Sequence, residues 1–353
     1  MTDGPIDFVT GAPATGSLDV VWTHGARSRR KGRARDPRIQ VHHYDEHTVV
    51  LRQNMSVSFE APFLFLLFGN DRALLLDTGA TADPGLFPLR ETVDGLVAAW
   101  LDAHPREGYE LVVAHSHGHG DHVAGDAQFA DRPATTVVPR DADAVRSFFG
   151  FGSGFGFGFG SGSNSGSGSG SGSGSNSGSG SGSGSGSDED WAGRTVRFDL
   201  GGRVLEILGS PGHHKAAVSV YDPWSGILLT GDTVLPGRLF AFDFAAYLAT
   251  LDHLVAFAAT RPVTHVLGCH VEMADEPGRV YPQGSLHHPH ERAPEMPPGH
   301  LTTVRDTAAS VAGTPGVHRF DDFVIYNEPG KGALIGLMAH GLAMRLRGAV
   351  FGH

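Results

Sequence analysis

The chain has 353 residues, 40% of them hydrophobic, enough to bury one large core or two small ones. Its 27 Lys plus Arg against 38 Asp plus Glu give a formal net charge of -11, which disfavours a nucleic-acid partner, because phosphate binding needs clustered positive charge. The single cysteine, Cys269, excludes an intramolecular disulfide, and no apolar run approaches the roughly 20 residues of a membrane-spanning helix.

Residues 1–38 show little periodicity and carry a basic run from Arg27 to Arg38. They are expected to form a flexible, solvated tail, with an acidic partner or anionic lipid as the alternative. No basic segment followed by an apolar run opens the chain, so a cytoplasmic location is expected, without membrane attachment. Three strand regions follow: IQVHHYDEHTVVLRQN from Ile39, then FLFLLFG and ALLLDTG, joined by the turn residues Gly69, Asn70 and Asp71. From Leu86 to His104 the residues Val93, Leu96, Val97, Trp100 and Leu101 recur at helical spacing, which predicts a helix packed on a sheet.

The strand ELVVA then runs into AHSHGHGDHVAG, Ala114 to Gly125. Four side chains able to bind a transition metal, His117, His119, Asp121 and His122, fall within six positions. In an extended or tightly turned loop alternate side chains project the same way, so His117 and His119 can share one ion. Asp121 and His122 then face a second direction and can hold another. Gly118 and Gly120 are expected to supply unusual backbone angles and room beside the metals. His115 lies outside the pattern and is expected to act from behind the ligands or structurally.

A short helix is expected from Val123 to Phe129, a strand from Ala134 to Arg140, and a helix over DADAVRSFF with Asp141 near its cap. Residues 150–189 are almost pure Gly and Ser after a Phe/Gly stretch. They cannot bury enough apolar surface to offset their ordering entropy and are expected to be a disordered insert. Order resumes at Asp190 with two hairpins, a helix around FDFAAYLATLDHLVAFAAT and a last core strand, VTHVLGCH. The two similar halves, 39–149 and 190–353, predict two facing sheets with helices outside, an αβ/βα sandwich of the α/β class. The second half closes with a Pro-, Gly- and His-rich loop and a helical extension.

Five motifs in order, LLLDTGA, HSHGHGDH, SPGHH, LLTGDT and GCH, resemble those of the metallo-β-lactamase-fold hydrolases. The resemblance covers most of residues 40–285 apart from the insert. It implies the four-layer metallo-β-lactamase sandwich, with His117, His119 and His213 on a first ion and Asp121, His122 and His270 on a second. Asp232 would bridge both, and Asp77 would support the histidine loop from beneath. Two zinc ions are implied, with iron or manganese as substitutes.

Such a pair lowers the pKa of a bridging water toward about 7 and so supplies a hydroxide nucleophile; Asp121 would orient it or accept a proton. The function this implies is hydrolysis of an ester, thioester or lactone of a small molecule. A β-lactamase and a mononuclear iron dioxygenase of the same fold are the alternatives. His214, Arg279 and Tyr281 are candidates for the substrate pocket. Cys269 is expected to be a small buried residue, and His287, His288 and His290 to sit in a solvated loop. The oligomeric state is not legible.

Overall fold

The structure is a computed structural model, and it describes residues 4–9, 13–26, 36–151, 191–337, 339 and 341. The Gly/Ser insert from residue 152 to 190 and most of the basic run, 27–35, lie outside the described residues.

The first half forms a six-stranded sheet in simple chain order. Its strands are β1 (Ile39–Asp45), β2 (Thr48–Gln53), β3 (Phe63–Phe68), β4 (Arg72–Leu76), β5 (Glu110–Ala114) and β6 (Thr135–Val137). The second half supplies β7 (Thr195–Asp199), β8 (Val204–Gly209), β9 (Val218–Asp222), β10 (Ile227–Gly231), β12 (His265–Gly268) and β13 (Glu295–Met296). These make a second six-stranded sheet in the order β13-β12-β10-β9-β8-β7.

The central strands β3, β4, β5 and β10 read as nearly continuous apolar runs because each is covered on both faces. Alternate residues divide between the faces. Phe65, Leu67, Leu74 and Leu76 of the first sheet meet Leu205, Ile207, Val220 and Leu229 of the second in a shared central core. Leu64, Leu66, Ala73 and Leu75 turn outward against helix α1 (Leu89–Ala103), through Leu89, Val93, Val97 and Trp100. On the far side Leu208, Leu228 and Val266 pack under α4 (Phe244–Ala258) and α5 (Gly299–Ser310). The result is the expected four-layer sandwich.

Arg203 ties the sheets together. It is buried, donates to the carbonyls of His47 (2.6 Å) and Phe68 (3.0 Å), and pairs with the buried Asp222 at 2.6 Å.

Local signals placed the remaining elements well, with some differences. Helix α3 (Ala142–Phe149) begins where Asp141 accepts a hydrogen bond from the Ala144 amide, as its residue type predicts. The helix expected after the histidine loop is instead a single turn, α2 (Gly120–Val123), followed by a 3-10 turn at Asp126–Phe129. The folded first half also extends past residue 149. Gly150 caps α3 in a left-handed conformation, and Phe151 is buried edge-on against Trp191.

Nor is residues 1–38 a flexible tail over the part described. Phe8 is buried between His47 and Trp224, and Trp22 packs edge-on against Phe63, so these aromatic side chains hold the segment to the domain. The C-terminal extension contains more than a helix. β14 (Gly316–Arg319) and β15 (Val324–Asn327) form a hairpin, and β15 adds in parallel to β11 (Arg238–Ala241). Among the described residues no helix is long and apolar enough to cross a membrane.

Strand direction places the site. β4 and β5 are parallel, so their C-terminal ends share one edge of the first sheet. In the second sheet β8 and β10 each run antiparallel to β9, and β12 runs parallel to β10. The segments leaving β8, β10 and β12 therefore emerge together, and these carry His213, Asp232 and His270.

Candidate metal centre

Seven side chains from four segments converge at this edge. His117, His119 and His213 form one cluster, and Asp121, His122, Asp232 and His270 form another. In the first, His119 Nδ1 lies 2.9 Å from His117 Nε2 and 3.1 Å from His213 Nε2. In the second, Asp121 Oδ2 lies 3.6 Å from His122 Nε2 and 3.4 Å from His270 Nε2, and those two ring nitrogens are 3.4 Å apart.

Asp232 Oδ2 reaches both clusters. It is 3.9 Å from His117, 3.7 Å from His213 and 3.6 Å from His122 at their Nε2 atoms. Its other oxygen, Oδ1, is buried without a hydrogen-bond partner. Ligand atoms about 2.0–2.1 Å from a tetrahedral zinc ion stand about 3.3 Å apart, so these spacings suit two ions sharing one carboxylate. The residues fit the metals that the sequence implied.

Atoms behind the ligands hold the rings. His122 Nδ1 donates to Asp77 Oδ2 at 2.9 Å, His213 Nδ1 to the Phe240 carbonyl at 2.9 Å and His270 Nδ1 to the Glu60 carbonyl at 2.9 Å. Each bond takes up Nδ1 and so turns Nε2 toward the cluster. Asp77 is fully buried. It also accepts from the Ser116 amide (2.7 Å), the Ser116 hydroxyl (2.9 Å) and the Cys269 thiol (3.1 Å). Its backbone sits at φ +70°, a left-handed conformation that Asp tolerates better than most residues.

Charge divides the ligands. Burial, reinforced by neighbouring imidazoles, drives His117 well below the usual histidine range. Burial likewise lowers His119 and brings His213 down to about 4, so all three offer neutral nitrogens. Burial also opposes charge on His122 and His270, but the carboxylates win. Asp77, Asp232 and Asp121 hold His122 well above its ordinary value, and Asp232 and Asp121 raise His270 to about 10. Conversely, burial would raise Asp121, but His122 and His270 hold it down to about 2. Without metal, two protonated rings stand in for cationic charge among the carboxylates.

The glycines of the loop behave differently from expectation. Neither Gly118 nor Gly120 takes a positive φ. Gly118 is needed for closeness: a Cβ there would lie 3.1 Å from the Arg140 carbonyl and 3.1 Å from the His214 ring. At Gly120 nothing lies within 4 Å. The conformationally demanding glycine is Gly212, at φ +125°, where a Cβ would sit 2.4 Å from the Tyr247 Cα.

His214 flanks the centre, its ring centroid 4.9 Å from that of His119. His115 is buried and pairs with Asp126 at 2.8 Å; Asp126 also accepts from Thr78, whose amide holds the His122 carbonyl. It therefore braces the loop backbone and touches no ligand ring. Tyr281 is buried, lines a cavity beside His270 and stacks on His288 with centroids 4.1 Å apart.

Arg279 does not join the cluster of buried groups beside His270. It stands on the surface, 2.9 Å from Glu276, in a pair three residues apart that leaves it among the solvated groups. His288 leaves the solvated loop, being buried and 3.0 Å from Glu291. Cys269 is buried as expected, and burial pushes its thiol pKa up, so it is no nucleophile.

Sequence reasoning passed over four contributors. The carbonyls of Glu60 and Phe240 carry no side-chain signal. Ser116 lay inside the motif, and its hydroxyl sits 3.1 Å from His117 Nδ1. Phe242, exposed beside the His213 ring at 5.8 Å, offers an apolar face at the rim.

The family model for the metallo-beta-lactamase superfamily matches residues 59–270, more than half of the chain. No curated protein matches. Among solved structures the chain is similar to a metallo-beta-lactamase from Pontibacter korlensis, at 14% identity over 77% of this chain and 99% of that one, with a TM-score of 0.44. It is also similar to TMB-1, at 12% identity over 78% and 99% of the two chains and a TM-score of 0.44. For FIM-1 from Pseudomonas aeruginosa in its mono-zinc form, identity is 14% over 82% and 100%, with a TM-score of 0.45.

Proposed function

The chain belongs to the metallo-beta-lactamase superfamily of metal-dependent hydrolases, and on that premise we propose that it is a dinuclear zinc enzyme cleaving an ester, thioester or lactone of a small molecule. The observation that supports this reading is Asp232. One of its oxygens lies within reach of both imidazole clusters, and the other is buried without a hydrogen bond, 3.6 Å from His270 Nε2. A carboxylate so placed is suited to lie between two cations. His117, His119 and His213 would hold one ion, and Asp121, His122 and His270 the other.

When bound, the ions would supply an activated water and a Lewis acid for the scissile carbonyl. The protein's own groups do the rest. Asp121, half-buried and held ionised by its histidine neighbours, can accept a proton from the nucleophile and keep it aimed. His214 and Phe242 border the entry, so a substrate meets one polar and one apolar wall beside the first cluster.

The test is zinc reconstitution, metal analysis, and assay against esters, thioesters, lactones and a β-lactam, with a chelator control. Two zinc ions per chain and chelator-sensitive turnover of an acyl ester, thioester or lactone are expected. A stoichiometry of one or below, or turnover confined to the β-lactam, would overturn the reading.

A further inference from the structure

A small solvent-open cavity of about 20 Å³, room for roughly one water-sized group, adjoins His270, and its lining includes Glu60, Arg238, Glu272, Tyr281 and His288. Nearly every charged group there is spent inside the protein. Arg238 donates from Nη1 to Glu272 Oε1 at 2.6 Å, from its amide to Glu272 Oε2 at 2.6 Å, and from Nη2 to the Tyr281 carbonyl. His288 pairs with Glu291. Glu60 is the exception, since its carboxyl group has no hydrogen bond or ion pair among the described residues, only the longer-range charges of His270, Asp121 and Glu272.

Its backbone, in contrast, is bolted to the metal centre. The Glu60 carbonyl takes the His270 Nδ1 hydrogen at 2.9 Å, and the Phe63 amide donates to the Cys269 carbonyl at 2.8 Å. Ala61 is held at φ +40°, a conformation disfavoured for a residue with a side chain, in a turn closed by its amide on the Ser58 carbonyl. The Glu60 backbone is therefore fixed relative to His270, which keeps its carboxyl group within a side chain's length of that ring. Burial raises its pKa to about 8, a sign of how poorly the surroundings solvate its charge. An unpartnered carboxyl group kept in a cavity beside a reaction centre is suited to meet a ligand.

We propose that Glu60 determines specificity: its carboxyl group accepts a hydrogen bond from an O–H or N–H on the half of the substrate beside His270. Esters, thioesters or lactones bearing such a donor there are then preferred to those lacking it. The inference rests on the hydrolase reading above. It holds in either protonation state, because a carboxylate and a carboxylic acid both present an accepting oxygen. The exposed Phe242 ring beside His213 leaves the apolar half of the substrate to the other side of the centre.

The experiment measures binding to the cobalt-loaded protein, so it needs no turnover. The probes are 3-mercaptopropan-1-ol and 3-methoxypropane-1-thiol, whose thiolates are good cobalt ligands and whose tails differ by one donor. Thiolate-to-cobalt absorption gives each dissociation constant. One hydrogen bond to the Glu60 carboxyl group corresponds to roughly a fivefold to tenfold preference for the hydroxyl probe in the wild type. Glu60→Leu should bring the ratio to about one by weakening the hydroxyl probe alone, and Glu60→Gln, which keeps an accepting oxygen, should retain most of it. If Glu60→Leu fails to take up cobalt, Glu60→Ala carries the same comparison. A wild-type ratio near one, or a preference that survives Glu60→Leu, overturns the proposal and leaves the metal reading standing. Failure of the wild type to take up cobalt overturns the metal reading and this inference with it.

Discussion

Asp77→Asn should weaken the second metal site selectively. The Asp77 carboxylate accepts four hydrogen bonds: one at Oδ1 from the Ser116 amide, and three at Oδ2 from His122 Nδ1, the Ser116 hydroxyl and the Cys269 thiol. An asparagine must keep its oxygen toward the Ser116 amide, because that donor cannot reverse. Its NH2 then faces the other three. The hydroxyl and thiol can rotate to accept, but His122 can accept at Nδ1 only by moving its hydrogen to Nε2, the atom aimed at Asp121 and Asp232.

The left-handed backbone at residue 77 suits asparagine as well as aspartate, so the substitution adds no main-chain strain. Loss of such a supporting group lowers metal affinity about 10–100-fold, or about 1.4–2.7 kcal/mol. A zinc competition titration with a chromophoric chelator should show one of two dissociation constants raised by that factor. The constant for the His117, His119 and His213 cluster should stay in place. Two unchanged constants would refute the tautomer argument.

The ligands themselves should separate in the same assay. Asp232→Ala should abolish binding of both ions, whereas Asp121→Asn should leave about one and lower turnover 10²–10⁴-fold; wild-type turnover in the latter would show that Asp121 handles no proton. Zinc binding near pH 7 should release about two protons, since His122 and His270 carry them in the metal-free protein; calorimetry in buffers of different ionisation enthalpy measures this, and a value near zero counts against it.

The metal-free protein should be most stable near pH 6.5. The raised His270 stabilises the fold fully below the unfolded value of about 6.5 and loses that contribution as pH rises through about 10. The lowered His213 acts oppositely, withdrawing stability as pH falls from about 6.5 toward about 4. A melting temperature that rises steadily toward pH 10 would contradict this. Arg203→Met should cost about 3–5 kcal/mol by stranding the buried Asp222 between the sheets, with zinc stoichiometry unchanged; denaturant unfolding checks it.

The misread residues share a cause. Arg279 belonged to a loop that does border the centre, yet its neighbour three positions back, Glu276, holds it at the surface. Phe8 and Trp22 lay in a stretch without periodicity, but single aromatic side chains can bury themselves without it. Glu60 lies between β2 and β3 with no local signal, and only its tie to His270, 210 positions away, gives it a place beside the histidine clusters.

The sequence by itself determined the layers and the ligand types. Strand and helix follow from burial patterns repeating over a few residues, and imidazole and carboxylate chemistry resides in the residue itself. His117, His119, Asp121 and His122 could be read together because they are neighbours in the chain. Only the tertiary structure decided which backbone carbonyls orient His213 and His270, that Asp77 receives the His122 hydrogen from 45 positions away, and which carboxyl group is left unpartnered. Those relations depend on parallel strands delivering distant loops to one edge of the sandwich, and no local pattern of residues encodes that meeting.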